Sequence, residues 1–231
     1  MNVLIFIVQV VLIVGLIALV AYLIEKNMYA KRNMPMPGLT TKKITMIGLF
    51  SAVSGVLMLF EMPMPFAPPF YKVDISEVPV LILTFAYGPV SGIICEMLKV
   101  FIKLIIKGTT TAFVGDFANF IVGASFIIPA GIIYVQKKTK KQAIIACVVG
   151  TLVLTVFGSM LNAVYLIPKF AELYGMPIDA IVGMATAINP AANTVNKLVL
   201  MCVVPLNLVK GAVDTFITIL LYKKLSIILK K

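Results

Sequence analysis

The chain has 231 residues, 61% of them hydrophobic and only 13% charged, with a mean hydropathy of +1.08 and a formal net charge of +11. That is far more apolar than a soluble domain requires, so the sequence reads as an integral membrane protein. It contains no His and no Trp, which excludes imidazole-ligated metals, His-based triads and His proton shuttles. No G-x-x-x-x-G-K-[ST], G-x-S-x-G or H-E-x-x-H pattern occurs, so the chain brings no recognisable ATPase or hydrolase of its own.

A membrane-crossing helix needs about 20 mostly apolar residues. On that rule spans are expected at about 2–24, 44–60, 78–94, 93–106, 114–135, 143–167 and 197–222. The first, within residues 1–25, has no basic stretch before it and carries its charges after the apolar run, so it reads as a retained anchor rather than a signal peptide. Residues 26–43, with "NMPMPGLTTKK", read as a flexible join to a body spanning 44–231. The expected fold is therefore all-α, one extra N-terminal transmembrane helix preceding six core helices. The halves of that body show no convincing repeat.

In the first core helix, "GLFSAVSGVL" places Gly48 and Ala52, and likewise Ser51 and Gly55, four residues apart. Such a stripe allows close helix contact, either within the molecule or with a partner protein. The next stretch, "EMPMPFAPPFYKVDISEVP" at 61–79, is stiff with proline and rich in aromatic and acidic side chains, unlike the apolar runs around it. A turn at Gly88-Pro89 is expected to split the following apolar run, from Val78 to Ile106, into two short helices. On the second of these, Glu96, Lys99 and Lys103 share a face; Glu96 and Lys99 read as a structural ion pair, with Lys103 snorkelling to the surface.

Asn119, in "GDFANFIVGASF", begins the fifth span beside Gly115, Gly123 and Ala124, small residues suited to helix packing or to a ring. Asn162, in "SMLNAVYLIPKF", lies near the outer end of the sixth span, facing a pocket or a neighbouring helix. Residues 172–196 read as a long loop, either a cover for a pocket or a plain connection. The last span is the richest in polar groups, and Asn207, Lys210 and Asp214 share one helix face. Buried polar groups are costly in a membrane, so Asn207 and Lys210 are candidate ligand contacts, with a Lys210–Asp214 structural pair as the alternative. Cys95, Cys147 and Cys202 lie in apolar segments and read as small core residues.

Three clusters carry most of the 20 basic residues: Lys26, Lys31, Arg32, Lys42 and Lys43; Lys137, Lys138, Lys140 and Lys141; and Lys223, Lys224, Lys230 and Lys231. An alternating path through the expected spans puts all three on one side. The positive-inside rule makes that side cytoplasmic, with the N-terminus outside, the C-terminus inside and the 61–79 stretch outside.

Taken in order, "PFAPPFYKVDISEVPVLILTFAYGPVSG", "GDFANFIVGASFIIPAGIIY", "LNAVYLIPKF" and "PLNLVKGAVDTFITILLYKKL" resemble the riboflavin-specific substrate-binding (S) component of energy-coupling-factor (ECF) vitamin transporters. The resemblance runs from about Lys42 to Lys231 and leaves the first span without a counterpart. It implies a six-helix S-component bundle that binds riboflavin at its outer side and works with a membrane scaffold protein and two ATPase subunits. It implies no enzyme activity, no metal and no cofactor beyond the transported flavin.

On that resemblance Asn162, Asn207 and Lys210 carry the main polar contacts, although Leu206 stands where Phe is common. Asn119 and Leu81 join the ligand-binding set. Phe66, Phe70 and Tyr71 become a lid over the flavin, with Asp74 and Glu77 capping the next helix; a plain rigid linker is the alternative for that stretch. Gly48, Ala52 and Gly55 fall where the family docks on its scaffold. The alternatives are an S component for another vitamin such as thiamine, folate or pantothenate, a small lipid-modifying membrane enzyme, or a self-sufficient secondary carrier. Against the enzyme, the nine acidic residues are scattered and form no D-x-x-D pair.

Overall fold

Three helices begin where a threonine side chain caps the backbone. The hydroxyls of Thr40, Thr139 and Thr194 accept hydrogen bonds from the N–H groups of Lys43, Gln142 and Lys197 at 3.2, 3.2 and 3.3 Å. Three more stop at glycines with positive φ, Gly88, Gly108 and Gly175. The computed structural model describes residues 3–109 and 111–229, with side chains described at 8–109 and 111–222. Within the C-terminal basic cluster, Lys230 and Lys231 lie outside the described residues.

The helices are α1 (Val3–Ala30), α2 (Thr41–Met58), α3 (Glu77–Tyr87), α4 (Pro89–Lys107), α5 (Val114–Gln136), α6 (Lys140–Leu161), α7 (Ile167–Tyr174), α8 (Ile178–Ile188), α9 (Val195–Leu198) and α10 (Val204–Leu229). Helices α2, α4, α5, α6, α10 and α3 pack in a ring, and α3 also touches α4 and α5. The core between them holds Leu83, Phe126, Leu154 and Cys147. Gly150 lets α6 close on α5: a Cβ there would lie 2.5 Å from the Phe126 ring. All three cysteines are buried and unpaired.

The turn expected at Gly88-Pro89 is present, but α3 is shorter than the span read from sequence. Its 11 residues extend about 16 Å, well short of a bilayer core. The preceding loop packs into the bundle, with Tyr71, Val73, Asp74 and Ser76 buried. That loop carries a two-residue antiparallel ladder, Met62–Pro63 against Lys72–Val73.

Two other expectations change. Residues 26–43 are not a flexible join throughout, because α1 continues to Ala30 and α2 starts at Thr41. Moreover α1 lies against α4 and α5, with Ala21 fully buried. The 172–196 stretch is not a loop either: α8 buries Ile181, Val182 and Ala185 in one cluster with Ala67, Tyr71 and Val73 of the 59–76 loop. Apolar residues at helical spacing across that segment explain the helix.

A π-helical turn, Asn162–Leu166, joins α6 to α7, and a second, Val199–Val203, joins α9 to α10. Each turn precedes a proline, Pro168 and Pro205, by the same spacing. Proline removes one backbone N–H and crowds the carbonyl four residues back. The wider turn absorbs that crowding and brings Asn162 to the end of the bundle where α10 presents Asn207.

Candidate functional site

A cavity of about 380 Å³ opens where the 59–76 loop, the end of α4, the start of α5, the α6–α7 junction and the start of α10 meet. That volume falls in the range of small-molecule sites. Its aromatic wall combines Phe70 with Phe170 and Tyr174, ring centroids 5.2 and 6.4 Å away. Leu206 and Val122 add aliphatic surface. The opposite end of the bundle holds the α3–α4 and α5–α6 turns and the start of α2, and therefore Lys42, Lys43 and the Lys137–Lys141 cluster.

The cavity gathers Asn119, Asn162, Asn207, Lys210, Phe70 and Tyr71. These come from four separate parts of the chain. Asn207 is buried, and its Nδ2 has no hydrogen-bond partner among the described residues. A buried donor left unpaired costs about 1–3 kcal/mol, and this one stands in the cavity wall. Gly158 of α6 makes the room, since a Cβ there would lie 3.0 Å from that nitrogen.

Asn162 is more occupied. Its Nδ2 donates to the Gly158 carbonyl and its Oδ1 accepts from the Tyr71 hydroxyl, both at 2.8 Å. These bonds fix the amide orientation, leaving one N–H and one lone pair for a ligand. The buried Tyr71 hydroxyl is shifted to higher pKa by desolvation, so it stays a donor in this bond at ordinary pH. Asn119 donates to the Gly115 carbonyl at 3.2 Å, and a second N–H remains.

Lys210 lies 3.5 Å from Glu77 Oε1 and 3.6 Å from Asp74 Oδ2. Its partners are these two acids; no ion pair joins it to Asp214 among the described residues. Asp74 also accepts from the Ser76 N–H at 2.8 Å. Burial alone would raise the Asp74 carboxyl, but the charges of Lys210 and Lys99 and the Ser76 hydrogen bonds outweigh it and hold it below the usual carboxylate range. Glu77 turns inward to Lys99 instead of capping α3.

Sequence reasoning missed the ionic frame around the cavity. Lys99, Lys103 and Lys107 recur every fourth residue on α4, and each finds a carboxylate on another element: Glu77, Asp116 and Glu61. Lys103 is buried against Asp116 at 2.5 Å and so does not snorkel. At the rim Glu61 joins Lys107 at 2.7 Å to Lys72 at 2.8 Å. Partial burial would raise the Glu61 carboxyl, yet the bonds from Lys107 and Lys72 prevail and lower it. The four-residue spacing of the lysines was the available signal.

Phe66 and Leu81 do not line the cavity. Phe66 packs with the cluster behind the loop, and Leu81 is fully buried in the bundle core. The α2 stripe divides in two: Gly48 and Ala52 face outward, while Gly55 packs inward, where a Cβ would meet Ile102 of α4 at 2.6 Å.

Residues 42–222 match the model of the family described as "ECF transporter, substrate-specific component". The riboflavin transporter RibU of Staphylococcus aureus (strain TCH60) is 36% identical over 190 residues, covering 82% of this chain and 93% of that protein. The riboflavin transporter FmnP of Bacillus subtilis (strain 168) is 31% identical over 186 residues, covering 80% and 92%. Among solved structures, an S component of a bacterial ECF transporter is similar with a TM-score of 0.63 and 35% identity, covering 82% of this chain and 98% of that one.

Proposed function

The chain belongs to the family of substrate-specific components of ECF transporters, and on that footing we infer that it captures riboflavin outside the cell for delivery inward. It is a multi-pass membrane protein: among the described residues five helices are long and apolar enough to cross a bilayer. The observation that carries the ligand assignment is the unpaired Asn207 Nδ2 beside Lys210 in a cavity with an aromatic wall. A flavin presents a broad flat face, carbonyl acceptors along one edge and a hydroxylated tail. Asn207, Lys210 and the spare N–H of Asn162 offer donors to those acceptors, while Phe70, Phe170 and Leu206 flank the ring.

The cavity end faces outward in this reading, because the basic clusters lie at the other end. The N-terminus is then outside and the C-terminus in the cytoplasm. The 59–76 loop, latched by Tyr71 to Asn162, forms one side of the entrance. Transport requires partners of the kind the family implies, a membrane scaffold and two ATPase subunits, since this sequence carries no phosphate-binding loop of its own. The outward Gly48 and Ala52 of α2 are the proposed contact with that scaffold.

Titrating the purified protein against riboflavin and following loss of flavin fluorescence tests the assignment. Saturable quenching is expected at micromolar ligand or below, with no competition from thiamine, folate or pantothenate. Absence of quenching, or displacement by one of the other vitamins, overturns it.

A further inference from the structure

Beneath the cavity lies a set of charges that direct ligand contact leaves unexplained. Glu77, the first residue of α3, is fully buried. One of its oxygens, Oε1, lies 2.9 Å from the ammonium of Lys99 on α4 and 3.5 Å from that of Lys210 on α10. Lys99 is fully buried too, and its second carboxylate is Glu96 at 2.7 Å. The packing that forces this sharing is visible at Gly123 of α5, where a Cβ would lie 3.0 Å from Glu77 Oε1 and collide with Glu96.

The two lysines are held differently. Lys99 donates to Glu77 Oε1 at 2.9 Å and lies 2.7 Å from Glu96, so its charge is engaged at close range by the fold. The Lys210 contacts, at 3.5 and 3.6 Å, exceed that range: its charge is balanced while its N–H donors stay uncommitted. A buried ammonium must have counter-charge to remain ionised in the membrane interior. A counter-charge too distant to take its protons leaves them to a ligand.

We propose that Glu77 is a positioning residue for ligand capture: anchored by Lys99, its shared oxygen holds the Lys210 ammonium at the cavity floor with its donors directed to the ligand. Asp74 supplies the second counter-charge from the loop side. Glu77 acts through Lys210 and does not itself touch the flavin. The inference rests on the riboflavin reading above, and names a determinant of affinity that the ligand contacts do not include.

The test is a set of full-length variants, each titrated with riboflavin, with absorbance spectra of the bound flavin and thermal unfolding recorded alongside. Glu77→Gln is expected to weaken binding about tenfold or more and to move the bound-flavin spectrum toward that of Lys210→Met. Glu77→Gln combined with Lys210→Met should bind no more weakly than Lys210→Met alone. Glu77→Gln combined with Lys99→Met removes the buried anion together with the cation it anchors on. Adding Glu96→Gln to that pair, so that the other carboxylate on Lys99 is not left without its cation, should recover thermal stability but not affinity, and it also serves where Glu77→Gln alone fails to fold. Recovery of affinity and spectrum in that triple variant, or additive losses in the Lys210 pair, overturns the proposal. Failure of the unsubstituted protein to bind riboflavin overturns instead the reading on which it rests.

Discussion

Glu25 Oε2 of α1 accepts a hydrogen bond from the backbone N–H of Val90, at 2.7 Å, across 65 positions of sequence. Val90 lies in the first turn of α4, so the buried carboxylate satisfies one of the donors that a helix start leaves open and faces the positive end of its dipole. Gly88, at φ +92°, admits the carboxylate: a Cβ there would come 2.6 Å from Glu25 Oε1. Helix α1 is thus locked to the α3–α4 turn and is not a loosely tethered anchor. Further along, Val10, Val14 and Ile17 extend the contact over α4 and α5.

Glu25→Ala should therefore destabilise the protein by about 1.5–3 kcal/mol, the usual worth of a charge-assisted hydrogen bond whose partner is left buried. Glu25→Gln should fall between, since an amide oxygen still accepts. Apparent melting temperatures in detergent check this ordering, and equal values for all three proteins would contradict it.

Asn207 gives an expectation of opposite sign for stability and binding. Its Nδ2 is a buried donor with no hydrogen-bond partner among the described residues. Asn207→Leu should leave the unliganded melting temperature unchanged or higher, yet weaken riboflavin by about tenfold or more, equivalent to about 1.4 kcal/mol. A parallel loss of both would show Asn207 to be structural.

The Tyr71–Asn162 bond joins the loop to the π-helical turn after α6 at 2.8 Å. Tyr71→Phe keeps the ring and removes that bond, so the entrance should loosen at little cost to the fold, about 1 kcal/mol. Stopped-flow fluorescence should show faster riboflavin release, with the association rate changed less. An unchanged release rate would show that the bond plays no part in retention.

Glu61 makes the rim sensitive to acid. Its folded-state pKa lies below its ordinary value, so its contribution is complete above that ordinary value, about 4.3, and is lost as pH falls through the lower folded one. Protease cleavage within residues 61–76 should stay flat from neutral pH down to that range and rise below it. Glu61→Gln should show the raised cleavage at neutral pH; the same low cleavage as the unsubstituted protein would remove the rim pair from the account.

Much of the architecture was legible in the order of residues. The apolar runs located the long helices, and the turn at Gly88-Pro89 was found where proline and glycine stand together. Asn162, Asn207 and Lys210 stood out because amides and ammonium groups in apolar helices need partners. Helix α8 was misread as a loop because small and polar residues flank its apolar face, and that face has meaning only against Tyr71 and Val73.

The sequence by itself determined that this is a helical membrane protein, which family it resembles, and which polar side chains its spans must accommodate. Those follow from hydropathy and local spacing, quantities that neighbours along the chain define. Only the tertiary structure decided that Lys210 pairs with Asp74 and Glu77 and not with Asp214 on its own helix. It also decided that Gly55 faces α4 while Ala52 faces out, and that Glu25 reaches Val90. Helical periodicity says which residues share a face, but a buried charge takes the counter-charge that packing brings within a few ångströms, and distance along the chain does not set that distance.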